Sequence, residues 1–341
     1  MDNAKPTRAD VARLAGVAES TVSRALNDSA LISPAVRARV KQVAQELGYA
    51  PNRQAAMFAK NRTGTVGMVV PRYTSFPPFS RAYFPTVLNG AVVAGESRGY
   101  FVTIVLDHRD TTAKTLARLV LEKSVDGLLF TVSPAEYARY EYLAEQDIPF
   151  VLINNYHENM SSVDAWPEAG MRHAFQHVYD LGHRRIGYIT GDTTFKNGQD
   201  RLDVFTRLCD EYRVESSIVP GDFSRTSGRR GAEYLLQQPT PPTVILTASD
   251  RAAIGVLSYC EDRGIRVPTD VSVIGYDNLH TAEDTSPPLT TVANPIEQSG
   301  YVGMQTLIDL LEGRQQGPVY HWLDTSLKVR DSTAPVQQGI Q

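Results

Sequence analysis

Residues 8–27 read RADVARLAGVAESTVSRALN. Val11, Leu14 and Ala15 recur at helical spacing, Gly16 ends the run, and from Ser20 a second run carries Val22, Ala25 and Leu26. This predicts two short helices around a tight turn. Gly16 supplies the permissive backbone, Ala12 is small enough for close helix approach, and Val22 faces inward. A helix-turn-helix of this kind lays the start of its second helix in the DNA major groove, here Glu19, Ser20, Thr21, Ser23 and Arg24. Arg24 is suited to a bidentate contact with guanine O6 and N7; Thr21 and Ser23 are short donors for phosphate oxygens.

Downstream, Ser33 and Pro34 read as N-cap and first residue of a third helix, with Val36, Val40, Val43 and Leu47 on one face and Gly48 at its end. Three helices within fifty residues predict one small all-α domain. Residues 50–62, APNRQAAMFAKNR, are basic, with a lone apolar pair, Met57 and Phe58. A stretch of about 12 residues barely offsets helix nucleation in isolation, so order here is expected only when something holds it. Up to Arg62 the chain has ten Lys/Arg against five Asp/Glu, a net +5; beyond it 24 stand against 33, a net −9. A basic end on an acidic body attracts a polyanion to one end only.

After Thr63 the pattern changes to apolar, β-branched runs at 65–70, 100–106, 125–132, 148–153, 185–190, 243–248 and 271–276, separated by amphipathic stretches. Continuous apolar strands alternating with helices predict parallel sheets covered on both faces, enough here for two doubly wound lobes. A helix at 295–312 and a strand-like run at 320–330 then cross back to complete them. The length fits two or three domains, and 42% apolar with 21% charged residues is an ordinary globular composition. Two distant cysteines, Cys209 and Cys260, indicate neither a disulfide framework nor a thiolate zinc site. With no long apolar run and no apolar leader at the N-terminus, the chain reads as cytoplasmic, with no membrane partner. GxGxxG after a strand, GxxxxGK[ST] and GxSxG are all missing, and the His173 and His177 pair lacks the HExxH glutamate, so no catalytic residue, cofactor or metal is expected. His183, just before a strand, reads as structural.

Taken together, DVARLAGV and STVSRALN, ISPAVRARV, GYAPN, RTGTVGMVVP, LGHRRIGYITG (181–191), TASDRAAIGV (247–256), VPTDVSVIGYDN (267–278) and SPPLTTVANP (286–295) resemble the lactose/galactose repressor family over nearly the whole chain. The resemblance implies an all-α helix-turn-helix headpiece at 1–50, a hinge helix at 51–62 and an α/β two-lobed core at 63–334 similar to periplasmic sugar-binding proteins, followed by a tail at 335–341. The N-lobe is expected at about 63–164 and 294–323, and the C-lobe at about 165–293 and 324–334. Counting from Pro51 and Asn52, Phe58 stands where the family inserts a leucine into the minor groove; with Asn52 and Arg53 it completes the expected DNA contacts. A larger wedge still unstacks a base step.

The same resemblance places an effector between the lobes. Arg201 matches an arginine that grips hydroxyls or a carboxylate, Asp277 an acid that accepts hydroxyl hydrogen bonds, and Phe223 an aromatic wall for a pyranose face; Asn154, Asn197 and Ser249 hold further polar positions. Trp166-Pro167 departs from the family's Asp-Asn. Phe76, Phe79 and Tyr83 in the loop at 72–83, with Tyr156 and Trp166, offer more flat apolar faces. The expected protein is a homodimeric repressor of double-stranded operator DNA controlled by a small molecule, most simply a carbohydrate. The alternative is a sugar-binding or sugar-processing protein whose N-terminal helices are incidental; DNA affinity of residues 1–62 separates the two.

Overall fold

The structure is a computed structural model of the chain, and the residues described are 6–26, 29–49, 62–72, 78–80, 82–131 and 137–337. Two compact units, Met1–Thr63 and Gly64–Gln341, each have their own core.

In the first unit α1 (Arg8–Ala15) begins at a capping box: the Thr7 hydroxyl accepts from Asp10 N, and the Asp10 carboxylate accepts from Thr7 N. It ends at Gly16, whose φ of 62° is open to a residue without Cβ. After α2 (Glu19–Leu26), α3 (Pro34–Leu47) is capped by the Ser33 hydroxyl and closed by Gly48. Val11, Ala12, Ala15, Val22, Ala25, Val40 and Ala44 are buried. Leu14, expected on the inner face, is 54% exposed. The buried stripe runs through 11, 12 and 15, and Leu14 lies off it, so alanine rather than leucine makes the close approach.

The second unit contains β1 (Thr65–Pro71), β2 (Phe101–Asp107), β3 (Gly127–Phe130), β4 (Phe150–Ile153), β5 (Ser162–Ala165), β6 (Arg185–Ile189), β7 (Glu215–Val219), β8 (Val244–Thr247), β9 (Ser272–Asp277), β10 (Thr290–Ala293), β11 (Tyr320–Leu323) and β12 (Ser326–Lys328). They form two six-stranded sheets in the orders β11-β5-β4-β3-β1-β2 and β12-β10-β9-β8-β6-β7. Each pairing is parallel except β10 with β12. The expectation of two doubly wound sheets holds. The run at 320–330 breaks at Asp324-Thr325 and supplies one strand to each sheet. One detail differs from the sequence reading: β5, β7 and β10 were not expected, because their Ser, Thr, Asp and Glu content hides them among loops.

The chain passes between the sheets after β5, after β10 and after β11. The helix Ile296–Leu311, which follows β10, returns to pack on the helix Tyr83–Arg98 of the first sheet. Gly90 and Gly300 mark the crossing: a Cβ on Gly90 would collide with the Glu297 carbonyl, and one on Gly300 with the Val87 carbonyl. Cys209 and Cys260 are buried free thiols. Among the described residues no helix is long and apolar enough to cross a membrane, and no group of His, Cys, Asp and Glu could hold a metal.

Candidate functional site

In doubly wound sheets the crevice for ligands lies beyond the carboxyl ends of the strands. Here those ends carry residues in unusual backbone states. Asp277 closes β9 with φ 118°, Asn154 follows β4 with φ 53°, and Phe223 lies in the turn after β7 with φ 62°. Non-glycine residues rarely adopt positive φ, and such strain gathers at functional sites.

Arg201, on the helix Lys196–Tyr212, is buried. Its guanidinium donates to the Ala248 carbonyl, lies over the Tyr276 ring with 3.7 Å to the centroid, and reaches to 3.6 Å from Asp277 Oδ1. Asn294 Nδ2 donates to the same Asp277 oxygen at 3.2 Å. Burial pushes the Asp277 carboxyl up to about 6 against the opposing pull of Arg201 and Asn294. Behind it, Asp250 accepts from Leu279 N at 2.8 Å and from the Thr291 hydroxyl; burial first, then the charge of Asp277, raises it to about 8.

From the other sheet, Asn154 Nδ2 donates to the Tyr83 hydroxyl. Burial raises the Tyr83 phenol, and the charge of Asp277 raises it further, as expected if the two groups face one another. Asp164, in β5, is also buried and raised to about 6, mainly by desolvation and against the charge of Lys196. Both sheets thus send ionisable groups into one place. The Oδ1 atoms of Asn197 and Asn294 and both amide atoms of Asn155 are buried and make no hydrogen bond to a described residue. Such groups are costly unless something polar meets them.

The expected positions fare differently. Arg201, Asp277 and Phe223 come together, the Phe223 ring 5.8 Å from the guanidinium, against Gly191 and Gly198 whose missing Cβ atoms leave it room. Ser249 caps the helix Asp250–Arg263, accepting from Ala252 N and donating to the Phe223 carbonyl, so its hydroxyl fixes the Phe223 turn. Trp166 leaves the site proper and joins a surface group with Tyr156 and Trp322. Phe79 is exposed, and Phe76 lies outside the described residues. Tyr83, expected as an aromatic face, meets Asn154 through its hydroxyl. Asp164, Tyr276 and Asn294 were missing from the expected set; the signal available was an aspartate inside a β-run at 162–165 and the tyrosine of GYDN. His177 is half-buried, with Nε2 2.9 Å from the Thr333 hydroxyl.

In the first unit, α2 buries Val22 and Ala25 and exposes Glu19, Ser20 and Arg24, with Thr21 and Ser23 half-buried. Glu19 accepts from Arg8 Nε at 2.9 Å, tying α2 to α1. Asn52, Arg53 and Phe58 lie outside the described residues.

Comparison with known proteins matches residues 7–52 to a family described as bacterial regulatory proteins, lacI family, and residues 175–333 to a periplasmic binding protein-like domain. The chain is similar to the HTH-type transcriptional repressor CytR of Escherichia coli (strain K12), 31% identical over 345 residues and 96% of each chain. It is 33% identical over 335 residues to the HTH-type transcriptional regulator CelR of Thermobifida fusca, covering 96% of this chain and 98% of the relative. A solved complex of a transcriptional regulator CelR with cellobiose superposes with a TM-score of 0.73 at 32% identity, over 96% of this chain and 99% of the other.

Proposed function

This chain belongs to the lacI family of bacterial regulatory proteins, a DNA-binding transcriptional regulator and not an enzyme, and from that premise we propose that it is a cytoplasmic, homodimeric repressor released from or held on its operator by a carbohydrate. Residues 1–50 are the headpiece, 51–62 the hinge, and 63–334 the sensing core. Exposed Val92, Val93 and Phe101, on the helix Tyr83–Arg98 and at the start of the edge strand β2, favour a second copy against the first lobe.

In this reading Arg24 reads a base edge, Glu19 lies in the groove as an acceptor, Ser20, Thr21, Ser23, Asn52 and Arg53 orient the protein on the duplex, and Phe58 enters the minor groove. In the core, the buried Arg201 and Asp277 pair carries the assignment: a donor and an acceptor, both desolvated, with Tyr83 and Asn154 facing them from the other lobe. A polyol satisfies both kinds of group at once, and Phe223 covers an apolar ring face. Asn197 supplies a further polar contact, and Ser249 acts by holding the Phe223 turn. The complex of CelR with cellobiose supports a saccharide over other ligand classes. The ligand changes operator affinity only through its differential affinity for two states of the core.

The test is calorimetry of the wild type, Arg201→Ala and Asp277→Ala against saccharides that raise its melting temperature. Loss of binding in both variants, with operator affinity kept, is expected; unchanged affinity in both removes the ligand from this site.

A further inference from the structure

Trp166 and Trp322 are the two tryptophans of the chain, and both stand where it passes between the sheets: Trp166 just after β5, Trp322 in β11 just before β12. Their rings meet edge to face at 5.8 Å, and Tyr156 packs on Trp322 at 5.1 Å. Yet Trp166 is 42% and Trp322 50% exposed. Large rings that touch one another yet leave about half of their surface open make a shelf rather than a core.

Two observations join the shelf to the effector site. In the parallel register Trp322 is the partner of Asp164, so their side chains leave the sheet on the same face. Asp164 is buried, and the Ala165 N–H is its sole hydrogen-bond donor among the described residues, reaching Oδ1 at 2.8 Å; this leaves Oδ2 free to accept. Lys196 supplies the other polar partner: its ammonium lies 5.7 Å from the Trp166 ring centroid and pairs with Asp200, the residue beside Arg201. Lys196 opens the helix that carries Arg201 five residues on, about 7.5 Å along its axis and turned about 140° around it, so Lys196 meets the shelf while Arg201 meets Asp277.

We propose that Trp166, Trp322 and Tyr156, with Asp164 and Lys196, form a second glycosyl subsite, so that the effector is a disaccharide or longer glycan with one ring at Arg201 and Asp277 and the next on the tryptophan shelf. The inference rests on the carbohydrate reading above. It assigns the indole faces to the apolar side of the second pyranose and the free Asp164 oxygen and the Lys196 ammonium to its hydroxyls, the division of labour that carbohydrate sites require.

With just these two tryptophans, emission excited at 295 nm reports the shelf directly. The full-length protein is titrated with glucose, galactose, cellobiose, lactose and maltose, and with the same sugars in Trp166→Ala, Trp322→Ala and the ring-conserving Trp166→Phe and Trp322→Phe, with Arg201→Ala as reference. Expected is a blue shift with one of the disaccharides, dependent on Arg201. Each Ala variant then weakens that disaccharide at least tenfold more than its constituent monosaccharide, and the Phe variants recover part of the loss. If the disaccharide binds equally well to both Ala variants and both Phe variants, the shelf is not a subsite. If monosaccharides alone bind, in an Arg201-dependent way, the carbohydrate reading stands and the second subsite falls. If none of the five binds the wild type, the carbohydrate reading fails and takes the subsite with it.

Discussion

Replacing Asp277 by asparagine keeps the shape of the side chain and removes a charge that the fold holds under stress. Its carboxyl is raised from 3.8 to about 6 by burial, even with Arg201 and Asn294 beside it. Between these values the folded protein keeps a proton that the unfolded chain has lost. The stability of the protonated form is therefore fully present below about 3.8 and is lost as pH rises through 6. At about 1.4 kcal/mol per unit, the ionised Asp277 costs on the order of 3 kcal/mol at pH 7. Arg201 is already counted in that figure, since its attraction lowers the same carboxyl. Asp250, raised in part by the charge of Asp277, is relieved as well and adds in the same direction. Tyr83, which that charge also raises, stays protonated from pH 4 to 8, and Asp164 is common to both proteins, so neither enters the difference. Asp277→Asn should match the wild type near pH 4 and exceed it by about 3 kcal/mol at pH 7, roughly 6–12 °C in melting temperature for a unit of this size. It should at the same time lose saccharide binding. Urea unfolding followed by circular dichroism from pH 4 to 8 measures the gap. A variant no more stable at pH 7, or a gap independent of pH, refutes the claim that this carboxylate is held against its preference.

Arg24→Ala should cost about 1–3 kcal/mol on the operator selected from random DNA and less on unselected DNA; equal losses in fluorescence anisotropy would make Arg24 a phosphate contact. Gly90→Ala and Gly300→Ala should each destabilise the core by about 2–4 kcal/mol in thermal unfolding, because the added methyl meets backbone on the facing helix and cannot be accommodated by a rotamer change. His183, desolvated and bonded to Thr243 and the Ala334 carbonyl, is lowered to about 4, so its contribution is present above 6.5 and is lost as pH falls toward 4. His183→Gln should flatten that acid limb, and an unchanged limb would place its origin elsewhere.

The helix ends of the first unit were legible because capping is local: Ser33, Pro34, Gly16 and Gly48 each act within one turn. The central strands were legible because burial on both faces leaves a continuous apolar run, as in β1, β3 and β8. β7 hid because it is a sheet edge with a half-exposed, polar sequence, and β5 because a buried aspartate, Asp164, interrupts its short apolar run. Periodicity in YHWLDTSLKVR does not mark where the partner sheet changes; the resemblance alone puts a lobe boundary after 323. In the site, Arg201, Asp277 and Phe223 came from motif resemblance. Tyr83 was legible as an aromatic of the 72–83 loop, but its hydroxyl contact with Asn154, like the placement of Asp164, becomes visible once strand ends distant in sequence come together.

The return of the helix Ile296–Leu311 to the first sheet sets an order of events during synthesis. When β5 has left the ribosome, the first lobe still lacks this helix, which begins some 130 residues on, and the edge strand β11, some 155 residues on. At about 5–20 residues per second the wait is roughly 7–26 s for the helix and 8–31 s for the strand. Throughout it the groove around Gly90 and the edge of β5 stay uncovered, while α1 to α3, complete within the first fifty residues, have long been free to fold. A chain stopped anywhere in that interval would carry a finished DNA-reading module on an unfinished body, a product that quality control must remove before it occupies the genome without a sensor.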